Sequence, residues 1–139
     1  MTIHLVKLCV GADDISDLVN WQNHLQKTHR RVFHTTRMVP KRQTDLLEGG
    51  SIYWVIKRQI RVRQQITDIE EFFDERGIRR CHLHLNPDLV HTRLQPRRPF
   101  QGWRYLTPID APIDAPSNIE VDDDMPDEMR DELIEMGLL

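Results

Sequence analysis

Ser51-Ile52-Tyr53-Trp54-Val55-Ile56-Lys57-Arg58-Gln59-Ile60-Arg61-Val62-Arg63-Gln64-Gln65-Ile66 decides how this chain folds. Its first six residues are almost wholly apolar, the pattern of a strand covered on both faces. Lys57, Arg58 and Gln59 then interrupt the run as a turn, although none of them is the Gly or Asn that tight hairpins favour. From Ile60 to Ile69 the residues alternate: Ile60, Val62 and Ile66 point one way and Arg61, Arg63, Gln65 and Thr67 the other, with Gln64 the exception. The alternation slips near Asp68 and Ile69, which marks a bulge or the strand end. An antiparallel hairpin with one polar, basic face is the expectation.

Outward from this hairpin, Ile3 to Val10 is a second apolar run and reads as a central strand. Asp13 or Asp14 caps a helix running to about Thr28, with Ile15, Leu18, Val19, Gln22 and Leu25 on one face and Trp21 on its flank. Val32 to Val39 is a strand stopped by Pro40, and Lys41 to Glu48 a short helix closed by Gly49 or Gly50. After Gly77 a further strand turns Cys81, Leu83 and Leu85 inward and Arg80, His82 and His84 outward, ending at Pro87. The sum is an α+β domain: a curved, mostly antiparallel sheet or partial β-barrel with one or two helices.

The 139 residues are the length of one domain, and the net charge of −3 conceals a division. Residues 1–109 carry 18 Lys and Arg against 11 Asp and Glu, a balance of +7, whereas 110–139 carry one Arg against 11 acids, a balance of −10. The chain thus reads as a basic globular domain over 1–109, a Pro/Asp-rich linker over 110–125 and an acidic helix or tail over 126–139. The repeated Pro-Ile-Asp-Ala of Pro108 to Pro116 is expected to be extended and unpacked. Met129, Leu133 and Met136 give the tail a narrow apolar stripe that can serve a protein partner or dock on the basic body. No apolar run reaches the roughly 20 residues that span a bilayer, and Met1 to Val10 lacks the marks of a signal peptide. A cytoplasmic protein without a membrane partner is expected. Cys9 and Cys81 sit in apolar segments, as reduced, buried thiols do.

Arginine outnumbers lysine 14 to 4 before residue 110, and its planar fork suits phosphates and base faces. Three groups stand out. Arg37, Lys41 and Arg42 surround Pro40 where a loop meets a helix N-terminus, a position that can hold a phosphate. Arg61, Arg63 and Arg80 lie on the outer faces of two strands; were those strands neighbours, like charges would oppose one another unless an anion screened them. Arg97, Arg98, Phe100, Trp103, Arg104 and Tyr105 interleave guanidinium and aromatic groups, as proteins that hold single strands do. Trp103 and Arg104 are the stacking candidates there. The competing use of Phe100, Trp103 and Tyr105 is to close the core as a last strand, with arginines packed over the rings.

Catalytic signals are weak. His82 and His84 have a spacing that can ligate a metal, with His91 as a third nitrogen, but the chain has no His-Glu-x-x-His, Cys-x-x-Cys, nucleophile elbow, phosphate loop or dinucleotide glycine pattern. Asp68, Glu70 and Glu71 read as a solvated strand end. No cofactor is implied, and no motif identifies an enzyme.

His4 to Gly11, Thr36 to Arg42, Glu48 to Lys57, Gly77 to Cys81 and Arg97 to Leu106 resemble the bacterial family called domain of unknown function 1489, over about residues 3–110. The resemblance implies no activity. More distantly, a Thr-Arg strand, a short helix ending in Gly and a Tyr-Trp-Val-Ile-Lys hairpin resemble the PUA-like (ASCH/EVE-type) barrels, whose members bind RNA or read modified bases. The expected function is binding of nucleic acid, RNA above all, or nucleotide through a basic sheet face. One alternative is a protein-interaction module using the acidic tail; another is a small metal-dependent hydrolase using His82, His84 and His91.

Overall fold

The computed structural model describes residues 2–98 and 100–115. The expectations for 116–125 and for the acidic helix at 126–139 lie outside these. Within the described residues nine elements follow in order: β1 His4–Leu8, α1 Ile15–His29, β2 Phe33–Thr36, α2 Gln43–Leu47, β3 Ser51–Ile56, β4 Gln59–Phe73, β5 Arg79–Leu85, β6 Val90–Pro96 and β7 Trp103–Leu106. The strands form one open mixed sheet in the order β2-β5-β4-β3-β1-β7, with β6 paired to β4 off that path. Among the described strand pairs only β1 and β3 run parallel, which requires the crossover that α1, β2 and α2 supply. This is the expected α+β domain with a curved, mostly antiparallel sheet.

The sheet buries both faces of its centre, so β1 and β3 contain adjacent inward residues. Leu5, Ile52, Trp54, Val62, Ile66, Leu83 and Trp103 form the larger core with Leu18 of α1 and Leu46 of α2. Val6, Tyr53, Val55, Ile60 and Leu106 form a smaller core on the opposite side, against Phe100 and Ala111. Gly50 is needed where α2 meets β3: a Cβ there would lie 2.4 Å from the carbonyl oxygens of Ile3 and Leu46. Asp14 caps α1 as expected, accepting from the Asp17 amide while Asp17 returns to the cap backbone.

The β4 reading needs correction. Ile60 does not share a face with Val62 and Ile66, because the register shifts between Ile60 and Val62 on the β6 side and between Trp54 and Val55 on the β3 side. Bulged Arg61 absorbs the extra residue and turns Ile60 into the smaller core. The slip near Asp68 is a second bulge rather than an end, since β4 continues to Phe73 in pairing with β5. Strand β6 is not anticipated by the sequence pattern, and Val32 to Val39 is strand only from Phe33 to Thr36. The start of the expected linker is also packed: the amide of Arg93 donates to Ile113 O, that of Ala115 to His91 O, both at 2.9 Å, and Thr92 bridges Asp114. Residues 110–115 are therefore not a free spacer.

Candidate nucleic-acid interface

The arginines separate into groups with different fates. Arg63 and Arg80 are held within the body. Arg63 grips Asp114 through Nε and a terminal nitrogen, both at 2.7 Å, and donates to Ser51 Oγ at 3.0 Å. Arg80 Nε lies 2.6 Å from Asp74. Each pairing holds its aspartate below the usual carboxylate range, the hydrogen bond from arginine being the main cause. Arg61 Nε donates to the Ile56 carbonyl. The expected like-charge opposition across neighbouring strands does not exist: Arg80 lies opposite Phe72, His82 opposite Glu70 and His84 opposite Asp68. The ladder sets Arg63 opposite Tyr53 and Val90, Arg80 opposite Phe72 and the two histidines opposite carboxylates, so no repulsion between strands calls for an anion at Arg61, Arg63 and Arg80.

Around Pro40 the loop lies over the outer strand β7. The Tyr105 hydroxyl accepts from the amides of Lys41 (2.9 Å) and Arg42 (3.1 Å), the donors that a phosphate would have taken. Arg42 is paired with Asp45 at 3.0 Å, so the anticipated helix-terminus phosphate site is occupied by the protein's own groups. Arg37 and Lys41 are exposed there. Trp103 is 7% exposed and donates from its indole nitrogen to Met38 O at 3.0 Å. It is core, not a stacking platform for bases; β7 is the closing strand.

The remaining group converges. The two turn residues of the β3–β4 hairpin, Lys57 and Arg58, have φ of 51° and 64°, a left-handed conformation that places two exposed cations at one tip. Arg58 O accepts from Arg97 N at 2.8 Å, which ties the tip to the chain leaving β6. Arg97 and Arg104 both place their guanidinium carbons over the Phe100 ring, at 5.3 and 5.4 Å from its centre. Arg104 is held by Gln101 O and Trp103 O, and Arg98 is exposed beside them. Among the described residues Lys57, Arg58, Arg97, Arg98 and Arg104 have no carboxylate within ion-pair distance. Sequence reasoning misses Lys57 and Arg58 as site residues, although they are visible as a Lys-Arg pair in a turn without Gly or Asn.

The histidines do not assemble. His82 stacks on Phe72 with ring centres 4.3 Å apart and bonds Thr35 Oγ1 at 2.9 Å, and His84 faces Glu70. His91 is on β6, opposite Val62 of β4. No three His, Cys, Asp or Glu are grouped to hold a metal among the described residues, and His82, His84 and His91 are not brought together as one set. Cys9 and Cys81 are unbridged, and burial pushes both thiols up, Cys9 to about 11.

A family model, described as a protein of unknown function (DUF1489), matches residues 5–139. The chain belongs to the DUF1489 family. The match continues past the basic body through the acidic segment, so both parts of the charge division fall within the family domain. Among curated proteins and solved structures, none matches this DUF1489 chain significantly. No described helix is long and apolar enough to cross a membrane.

Proposed function

We propose that this protein binds single-stranded nucleic acid, RNA in the first place, at the basic end built from the β3–β4 hairpin and the segment entering β7. Lys57, Arg58, Arg97, Arg98 and Arg104 take the phosphates, and Phe100 is the apolar plate over which two of the arginines are spread. The observation that carries this reading is the backbone bond between Arg58 and Arg97, which brings arginines 39 positions apart onto one surface while no described carboxylate neutralises them. Preorganised unpaired guanidiniums attract a polyanion strongly because the repulsion among them is relieved on binding.

A distant kinship with the PUA-like group is part of the proposal, supported by the order of β2, the short α2 ending near Gly49 and the β3–β4 hairpin. Such a role places the protein in the cytoplasm. The second reading has its own support. Residues 116–139 hold nine carboxylates and one Arg, so this segment is either a competitor for the basic end or the site for a protein partner. Fluorescence anisotropy with labelled single-stranded and duplex RNA at several salt concentrations tests the main reading. Binding that weakens steeply as salt rises supports it; absent or salt-independent binding rejects it.

A further inference from the structure

On the sheet face opposite Phe100 lies a cavity of about 250 Å³ whose lining includes Lys7, Val10, Asp17, Trp21, His34 and Trp54. Its floor is apolar: Trp54 is 1% exposed and Leu18 likewise. Val10 and Trp21, 80% and 40% exposed, are large apolar groups left in water along its lining, beside the polar Lys7, as ligand pockets combine apolar walls with a few polar groups. Cavities for whole drug-sized molecules run from about 300 Å³ upward, so this one suits a single ring system.

Two polar groups lining it lack protein partners. The Lys7 ammonium is half-buried and bonds no described side chain; its pKa is lowered, chiefly by burial. Both ring nitrogens of His34 are shut away from solvent without a hydrogen bond, between Trp21 (rings 5.9 Å apart) and Trp54 (5.2 Å). Lys7 is near enough to lower the His34 pKa further. Asp17 also lines the cavity, but among the described residues no ion pair joins it to Lys7, and its Oδ2 accepts from the amides of Asp13 and Asp14. Only the His34 nitrogens are buried and unbonded; the Lys7 ammonium is open to solvent and free to bond a ligand. A flat aromatic ligand that brings an oxygen acceptor to Lys7 gains a charge-assisted hydrogen bond while covering Trp21.

We propose that this cavity receives one unstacked nucleobase bearing a ring carbonyl, with Lys7 donating to the carbonyl oxygen and the exposed part of Trp21 covering the ring. The proposal rests on the nucleic-acid reading and extends it from phosphate contact to base recognition. On the cavity side the β3–β4 hairpin is close by: the Cys9 amide donates to Val55 O, and Lys57 contributes to lowering the Asp14 pKa.

The test is tryptophan fluorescence of the full chain titrated with inosine, uridine and adenosine, alongside anisotropy with a labelled single-stranded RNA. Inosine and uridine are expected to quench and adenosine, which has no carbonyl, to bind at least tenfold more weakly. Lys7→Met, which keeps the aliphatic stem, is expected to weaken inosine on the order of tenfold, the loss of one charge-assisted bond. Arg97→Ala/Arg104→Ala is expected to weaken RNA and leave inosine unchanged. Absence of any nucleoside response, or a Lys7→Met variant as responsive as the native protein, overturns the base pocket. If RNA still binds in that case, the basic end stands without it; nucleoside binding without salt-dependent RNA binding has the opposite meaning.

Discussion

Gln64 is fully buried in the larger core and has every polar atom engaged. It exchanges two hydrogen bonds with Gln22 of α1 (2.6 and 2.8 Å), accepts from the Trp54 indole (2.9 Å) and donates to Asn86 O (3.1 Å). Gln64→Leu leaves Gln22, Trp54 and Asn86 O unsatisfied, so we expect it to cost about 2–4 kcal/mol in urea unfolding. The break in alternation at Gln64 and the placing of Gln22 on the apolar face of α1 are both legible in the sequence; that they bond each other is not, since 42 positions separate them. His34 gives a pH dependence. Burial lowers its pKa to about 4, below the unfolded value of about 6.5, so the fold favours the neutral ring. This contribution, up to about 3 kcal/mol, is complete above pH 6.5 and is lost as pH falls toward 4. His34→Phe should flatten unfolding free energy across that interval; an unchanged slope contradicts the assignment.

At the level of elements, the β3–β4 hairpin departs from what local preference would select. Two consecutive residues with side chains in the left-handed region cost about 1 kcal/mol each, and Asn-Gly is the natural choice for such a turn. Lys57→Asn/Arg58→Gly is therefore expected to stabilise the protein by about 1–2 kcal/mol in thermal or urea unfolding while weakening RNA binding. A variant that gains stability and binds RNA as before would separate the cations from function. The hairpin itself is readable because β3 is apolar throughout and β4 alternates. The bulge at Arg61 is not, because it is a register shift against both β3 and β6, and pairing register is not written in the alternation of one strand. Strand β6 hides for a related reason: its buried position is Thr92, and Pro96 at its end argues against a strand.

For the whole molecule, charge is organised by neutralisation as much as by position. Composition shows a basic body, but only coordinates reveal that Arg42, Arg63 and Arg80 are consumed by Asp45, Asp114 and Asp74, while the cations around Phe100 have no described carboxylate partner. The Arg63–Asp114 pair also fastens residues 110–115, so Asp114→Ala is expected to cost about 1–2 kcal/mol in urea unfolding, the pair being partly exposed. Removing residues 116–139 takes away nine carboxylates and one Arg. If that segment competes for the basic end, its removal tightens RNA binding severalfold at low salt in anisotropy; if it serves a protein partner, affinity stays the same. Phosphate binding at the basic end itself is tested by the slope of log affinity against log salt, measured on one single-stranded RNA for native protein and for Arg58→Ala/Arg97→Ala/Arg104→Ala. The triple variant is expected to show a slope smaller in magnitude by about 2, roughly 0.7 for each phosphate it no longer neutralises, whereas equal slopes would place the nucleic acid elsewhere on the molecule.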